Sequence, residues 1–446
     1  SIISKLFGKY FNLANLFFII KIYKIYMNIG IIGSGGREHA LCVKLKESKI
    51  VDKIYCFPGN AGTSQIAENI SINIDDFENI KKIALEKKIE LLVVGPEKPL
   101  VEGIYDFFQN SGIKVFGPNK IASKLEGSKT FTKQLCKKYK IPTSKFEIFE
   151  NKTKASEYLD KANLPIVIKA DGLAAGKGVY ICEKMEECKK AIDEIFDGRF
   201  GKAEVVLIEE FLQGEEMSFF IISDGKTFQF FQTAQDHKRV GEGDTGPNTG
   251  GMGAYSPSRL NNDELENKIN KKIIEPTLKA LDELGSNYIG FLYVGLMIIE
   301  NEPFLIEFNV RMGDPECQTI LPLLDSDLGE IILACCEGNL SSKKLNWHKR
   351  KSLCVVICSN GYPNEYKKNL LIKNLKNIKT TNQQFIFHAG TKFENNEFFS
   401  IGGRVLNVVV AEKSFNECKL QTNQILQQIN WADGFYRKDI GYKVID

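Results

Sequence analysis

The sequence predicts a multidomain α/β and α+β chain. A parallel-sheet domain comes first, a larger central α+β domain with a lid-sized unit follows, and a small α+β domain closes the chain. Three observations carry this. At 446 residues the chain exceeds what one core holds. Its first third alternates apolar strands with helical patterns, the sign of a parallel sheet covered on both faces. Beyond that, strands pair locally around glycine-rich stretches.

The elements follow in order. From Met27 the pattern is strand N-I-G-I-I, turn G-S-G-G, and helix R-E-H-A-L-C-V-K-L-K. A second strand, K-I-Y-C-F, ends at P-G-N-A-G (58–62), and a third, E-L-L-V-V, ends at Gly95-Pro96-Glu97. Leu100, Ile104, Phe107 and Phe108 then recur at helical spacing, predicting one helix. Ligands of such sheets bind beyond the carboxyl ends of strands, where all three glycine turns lie. A helix opens near Ser128, with Phe131, Leu135 and Tyr139 on one face, and stops before Pro142. Residues 165–211 read as strand, glycine-rich loop, helix and strand, the size of a lid. Paired strands over 216–233 lead into the glycine-rich stretch 235–253, which is expected to be a loop close to a ligand. Strands follow at 291–299, 303–308, 353–358 and 404–410, with a closing helix near 414–429. The expected domains are 27–128, 129–350 with a lid over about 150–215, and 351–446.

Composition excludes several classes. Fifty-nine basic against 56 acidic residues leave a net charge of +3, so no global field favours nucleic acid or membrane. Eleven cysteines, an odd number without a C-x-x-C pair, point to a reduced cytoplasmic protein. Four histidines without ligand spacing argue against catalytic zinc. Arginine is scarce, so Arg37, Arg239, Arg311 and Arg404, all beside glycine-rich or polar motifs, stand out as forks for phosphate or carboxylate. Residues 1–26 mix Lys5, Lys9, Lys21 and Lys24 with apolar residues, and the run Leu16–Ile20 is too short to span a membrane. They read as an upstream extension or start-site artefact outside the fold, with Met27 as the start; a basic amphipathic anchor is the alternative.

Three separated stretches ask for Mg-ATP. In I-K-A-D-G-L-A-A-G-K-G, Lys169 leaves a strand toward phosphates and Gly172, Gly176, Lys177 and Gly178 form a flap over them. The alternative is a tight hairpin with a solvated lysine. In E-E-F-L-Q-G-E-E, Glu209, Glu210, Phe211 and Leu212 offer an adenine edge and Glu216 an acceptor for ribose hydroxyls. An edge strand bearing surface acids is the bland version. Glu307 and Asn309, two apart on a strand and so on one face, offer oxygen ligands to a hard cation. The turn Gly33, Gly35, Gly36, Arg37, Glu38 opens a helix and suits an anion. It is no dinucleotide fingerprint, because Glu38 stands at the third glycine position and the second strand ends in Phe57-Pro58.

Eight strings, G-S-G-G-R-E-H-A, P-G-N-A-G, G-P-E-x-P-L-V, L-E-G-S-K, I-K-A-D-G-L-A-A-G-K-G-V, Q-D-H-K-R-V, D-T-G-P-N-T-G-G-M-G-A-Y-S-P and E-F-N-V-R-M-G-D-P-E-x-Q, carry a resemblance. With F-H-A-G-T-K and G-G-R-V-L, the chain from Met27 to Asp446 resembles the phosphoribosylamine–glycine ligase (glycinamide ribonucleotide synthetase) family, ATP-grasp enzymes of de novo purine synthesis. Val310 and Met312 stand where the family commonly has Cys and Phe, both apolar changes. The resemblance implies an ATP-grasp central domain and ligation of glycine to 5-phosphoribosylamine through glycyl phosphate, with ATP as substrate and Mg²⁺ or Mn²⁺. The chain is further expected to be a monofunctional monomer with small-molecule substrates, and neither nucleic acid nor membrane as partner. By the same resemblance, Lys169 and Lys129 serve the phosphates and Arg311 the glycine carboxylate. Asp236, His237 and Lys238 then lie between the substrates. Gly33 to Glu38, Gly59, Asn60, Ala61, Gly62, Gly95, Pro96, Glu97 and Asp314 form the phosphoribosylamine side.

Overall fold

A computed structural model describes residues 26–173, 178–199, 205–429 and 431–445. Residues 1–25 of the expected extension, and Gly176 and Lys177 of the flap, lie outside the described residues.

Strands β1 (Met27–Gly33), β2 (Val51–Pro58), β3 (Glu68–Asn69), β4 (Ile89–Val94) and β5 (Lys114–Phe116) form the expected parallel sheet, in the order β3-β2-β1-β4-β5. The runs Ile31–Ile32 and Leu91–Val94 are buried throughout, as strands covered on both faces require. β1 has β2 on one side and β4 on the other, so the chain changes direction around it. Gly59 N–H donates to the Gly33 carbonyl (3.1 Å) and Gly95 N–H to that of Ile32 (3.1 Å), gathering three strand ends. The single helix expected beyond Gly95 is two, Glu97–Glu102 and Ile104–Phe108. Gly103 separates them at φ 96°, a left-handed residue that ends the first helix.

The helix Lys129–Tyr139 begins where Ser128 Oγ accepts the Phe131 N–H at 3.1 Å. It ends at Lys140 in the left-handed conformation, ahead of Pro142. Next comes an antiparallel sheet of β6 (Phe146–Phe149), β7 (Ile166–Ala170), β8 (Val179–Cys182) and β9 (Val206–Glu210), in the order β6-β9-β7-β8. Helices Lys152–Leu159 and Met185–Phe196 supply Ala155, Leu159, Cys188, Ile192 and Ile195 to a core separate from the two larger ones. The unit therefore has an apolar interior of its own, as a lid needs. β6 and β8 escape the sequence pattern because they bury too few residues to alternate clearly.

The central sheet holds β10 (Glu215–Asp224), β11 (Phe228–Asp236), β14 (Gly253–Ser256), β15 (Ile289–Ile299) and β16 (Glu302–Asn309). The stretch expected as loop over 235–253 is a two-stranded ribbon, β12 (Arg239–Gly241) on β13 (Thr245–Asn248). Its glycines serve the tip, where Gly243 and Gly246 adopt positive φ. β14 pairs with β11 on one side and with β17 (Lys351–Ser359) on the other. The last hundred residues therefore continue the central sheet through β17, β22 (Arg404–Glu412) and β19 (Gln384–His388). A separate sheet joins β18 (Leu370–Ile372), β20 (Thr391–Glu394) and β21 (Glu397–Ser400).

Candidate active site

The strand ends of the first sheet face the end of β16, the end of β11 and the β7–β8 hairpin across one cleft of about 750 Å³. Lys129, Lys169, Gly172, Gly178, Asp236, Lys238, Glu307, Asn309, Arg311 and Asp314 all line it. So do Gly33, Gly35, Arg37, Glu38, Pro96 and Glu97. Residues as far apart in sequence as Gly33 and Arg404 thus share one wall space.

On the lid side, Lys169 ends β7 and is 7% exposed, which removes the solvated-lysine alternative. Its Nζ lies 2.9 Å from Glu209 Oε1, and Lys133 Nζ lies 2.9 Å from Glu209 Oε2. Ser144 Oγ donates to the same carboxylate at 2.7 Å. Burial alone would raise the Glu209 pKa, but the two ammonium groups outweigh it and pull the carboxyl down to about 2. Burial lowers the pKa of Lys133, and that of Lys129. The Glu209 carboxylate is thus taken up by Lys133, Lys169 and Ser144, which leaves the main chain of this strand end for the expected adenine contact. Lys129 Nζ donates to the Gly172 carbonyl (2.8 Å), and Asp171 accepts the Thr130 N–H (3.1 Å) at the helix N-terminus. These contacts dock the hairpin on the helix. Glu210 is exposed and Phe211 and Leu212 are half-buried, beside the cleft rather than in its wall.

Glu307 and Asn309 pair with Gly295 and Tyr293 in unbroken register, so both project from one face of β16. A β-bulge takes up Ile306 just before them. Asn309 Nδ2 stands 3.5 Å from Glu307 Oε1. A carboxylate and an amide on one edge form a hard-donor set that fits Mg²⁺ or Mn²⁺, the amide turned to present its oxygen. Among the described residues no group of three or more His, Cys, Asp or Glu could hold a metal, so the remaining ligands would come from phosphates and water.

Asp236 ends β11, and His237 and Lys238 join it to β12. Asp236 and Lys238 line the cleft; His237 does not. Its Nε2 accepts the Gly441 N–H at 3.3 Å, and burial, with the Arg437 charge nearby, holds the ring down to about 4. The expected place of His237 between the substrates is therefore corrected. Lys238 Nζ donates to Oε2 of Glu216, the carboxylate expected at a ribose, at 2.6 Å. Shielding from water pushes Asp236 up to about 8, Lys238 opposing and Glu316, Glu216 and Glu307 adding to it.

The turn after β1 differs from an open anion site. Glu38 folds back so that its Oε2 accepts the Gly35 N–H (2.5 Å), while Asp314 Oδ2 accepts that of Arg37 (3.2 Å). Two carboxylates thus take the N–H groups offered to an anion by the sequence reading. Arg37 Nε donates to Glu38 Oε1 (2.6 Å) and its Nη1 to the Met312 carbonyl (3.0 Å). Asn60 is likewise internal, donating to the Ser34 carbonyl (2.9 Å) and that of His388 (2.8 Å). Gly59, Ala61 and Gly62 sit behind it, with Gly36 and Gly95, and none lines the cleft. A Cβ on Gly62 would lie 2.1 Å from the His39 ring, so that glycine allows packing rather than ligand approach. Arg311 Nη2 donates to Glu126 Oε1 (2.7 Å), and its Nε lies 3.3 Å from Glu97 Oε2. Burial pushes Glu126 up to about 7 against the pull of Arg311, with Glu97 adding to it.

Glu126, Lys133, Glu316 and Tyr293 line the cleft without having been singled out for the site from sequence. A signal existed for two of them. Lys133 falls four residues after Lys129, on the same helix face, and Glu126 lies inside L-E-G-S-K. Arg404 comes from the far end of the chain, yet its Nη1 donates to the Gly250 carbonyl and that of Asp314, both at 2.6 Å.

Comparison with known proteins gives the family. Residues 27–126 match the family model described as phosphoribosylglycinamide synthetase, N domain. Residues 127–317 match its ATP-grasp (A) domain and residues 352–443 its C domain. A phosphoribosylamine–glycine ligase of Brucella melitensis is 45% identical over 421 residues, 94% of this chain and 99% of that one. A chloroplastic one of Arabidopsis thaliana is 46% identical, over 92% of this chain and 79% of that one. The crystal structure of the Thermotoga maritima phosphoribosylamine–glycine ligase superposes with a TM-score of 0.81 at 32% identity, over 93% of this chain and 100% of that one. The biotin carboxylase domain of a Hydrogenobacter thermophilus 2-oxoglutarate carboxylase, solved with MgADP, shares the fold alone (TM-score 0.70, 16% identity, 92% of both chains).

Proposed function

Since the chain belongs to the phosphoribosylglycinamide synthetase family of ATP-grasp ligases, we infer that it joins glycine to 5-phosphoribosylamine. ATP is consumed, and glycinamide ribonucleotide, ADP and phosphate leave. A carboxylate is a poor electrophile. The glycine carboxylate oxygen therefore first takes the γ-phosphoryl group of ATP, ADP departs, and glycyl phosphate forms. The ribosylamine nitrogen then attacks the acyl carbon, the C–N bond forms as the C–O bond to phosphate breaks, and the amine gives up a proton.

Phosphoryl transfer of this kind needs positioning and charge neutralisation more than covalent help. Lys169, aimed by Glu209, and Lys129 supply fixed positive charge from the lid side. Glu307 and Asn309 are the residues to hold Mg²⁺ or Mn²⁺, which when bound offsets phosphate charge. Gly172 and Gly178, at the two ends of the flap, border the phosphates. Arg311 is assigned to the glycine carboxylate as a donor shared with Glu126 and Glu97. Asp314, Arg37, Glu38 and the ends of β1 and β4 border phosphoribosylamine. Acyl phosphates hydrolyse, so the lid's separate core suits closure over the cleft. Among the described residues no helix is long and apolar enough to cross a membrane.

One observation carries the reading: the Lys169 hairpin, the Glu307–Asn309 edge and the ends of the parallel sheet open into the same cleft. The test is ADP release with each of ATP, glycine and phosphoribosylamine omitted in turn, then with EDTA. Release should require all three and a divalent cation, and Glu307→Ala should abolish it. Full turnover in that variant would remove the metal assignment, and turnover without phosphoribosylamine would remove the acceptor.

A further inference from the structure

We propose that residues 437–442 clamp the β12–β13 ribbon and so position the Lys238 and Thr249–Gly250 wall of the cleft, with Arg437 as the positioning residue. The inference rests on the ligase reading above.

Arg437 is 1% exposed, and a guanidinium is retained at that depth only when its donors are met. Nε and Nη2 donate to the two oxygens of Asp439 (2.8 and 2.7 Å), a bidentate pair that fixes the plane of the fork. The remaining arm, Nη1, crosses to the ribbon, donating to Asp244 Oδ1 (2.8 Å) and to the Arg239 carbonyl (2.9 Å). Neighbouring residues repeat the crossing. Asp439 Oδ2 accepts the Gly243 N–H at 2.8 Å, and Tyr442 OH donates to Asp244 Oδ2 at 2.9 Å. Lys438 N–H donates to Glu242 Oε1 at 3.1 Å. Every anchor on one side lies within 239–244 and every anchor on the other within 437–442. Gly441 N–H extends the grip to His237.

The ribbon needs such support. A two-stranded ribbon is marginal alone, its β13 strand is exposed throughout, and Asp244 sits at φ 55°, a conformation costly for a residue with a side chain. Both ends of the ribbon are cleft wall. Lys238 enters it, Thr249 and Gly250 leave it, and Thr249 closes the neck by donating its N–H and Oγ1 to the Lys238 carbonyl (both 2.8 Å). From there Arg404 bridges Gly250 to Asp314, which accepts the Arg37 N–H. Through Gly250, Arg404 and Asp314 the clamp thus reaches the side of the cleft assigned to phosphoribosylamine.

The test compares wild-type protein with Arg437→Gln, Asp244→Asn and the double variant. Asp244 is 35% exposed in its side chain, so its variant probes the same contact if Arg437→Gln fails to fold. Hydrogen exchange over 239–250 and the KM of each substrate are read together. Exchange in that segment should quicken about tenfold and the phosphoribosylamine KM rise about tenfold, the scale of one lost charge-assisted bond, with the ATP KM unmoved. The double variant should add nothing to either single one. Unchanged exchange overturns the clamp. Faster exchange with unmoved KM values, or a uniform loss of activity tracking a lower Tm, overturns the positioning role. A wild-type protein that ignores phosphoribosylamine sinks the ligase reading instead, and the exchange comparison still decides the clamp.

Discussion

Replacing Glu209 by Gln removes the carboxylate that holds two lysines at the junction of lid and body. The side chains of Lys133, Lys169 and Glu209 are 4%, 9% and 4% exposed, so solvent screens them little. Holding the carboxyl at about 2 rather than its ordinary 4.5 corresponds to on the order of 3 kcal/mol at neutral pH. Stripping one partner from a buried ion pair costs about 3–5 kcal/mol, the same range. If that energy serves to aim Lys169 at the phosphates, the ATP KM should rise by up to about a hundredfold, at about 1.4 kcal/mol per factor of ten. The glycine KM should move much less. The sign with pH follows from the depressed folded value: the stabilisation is whole above about 4.5 and drains away as pH falls toward about 2. Glu209→Gln should lack this acid-dependent loss. Steady-state ADP release at varied ATP, with thermal melts between pH 7 and pH 3 or so, measures both effects. A variant with the wild-type ATP KM and an undiminished acid transition would refute the reasoning.

Two further substitutions test the corrected placements. His237→Gln should keep kcat within about tenfold of wild type, with no new pH limb, because the ring faces Gly441 rather than the cleft. A group working as general acid or base would cost about a hundredfold or more on removal, and such a loss without a stability change would restore His237 to the chemistry. Gly95→Ala would place a Cβ 1.9 Å from Glu38 Oε1 and push that carboxylate off the Gly35 N–H. A cost of about 1–3 kcal/mol in stability and a raised phosphoribosylamine KM are expected, and unaltered melting would show that Glu38 has room to move.

Much of the site was legible because its motifs are local. A glycine-rich hairpin after a strand, two polar residues two apart on a strand, and turns at the ends of parallel strands owe their meaning to backbone geometry within a dozen residues. The N-terminal sheet was readable for the same reason, its strands being apolar throughout. Charge partners were not. Glu209 looks like a surface acid or an adenine contact until folding sets it between Lys133 and Lys169, 76 and 40 residues away in sequence by their numbers. Glu38 looks like the wrong residue for a phosphate loop until it is seen closing its own helix N-terminus.

Sequence alone determined which chemical groups this protein can bring to a nucleotide and an acyl acceptor, since those groups are side chains at readable spacings. Only the tertiary structure decided that, of the neighbours Asp236, His237 and Lys238, the first and last line the cleft and the middle one does not. It also decided that the last hundred residues extend the central sheet and reach back, through Arg404 and Arg437, to brace its wall. Such outcomes depend on which distant segments pack together, a balance of burial and pairing summed over the whole chain that no single stretch contains.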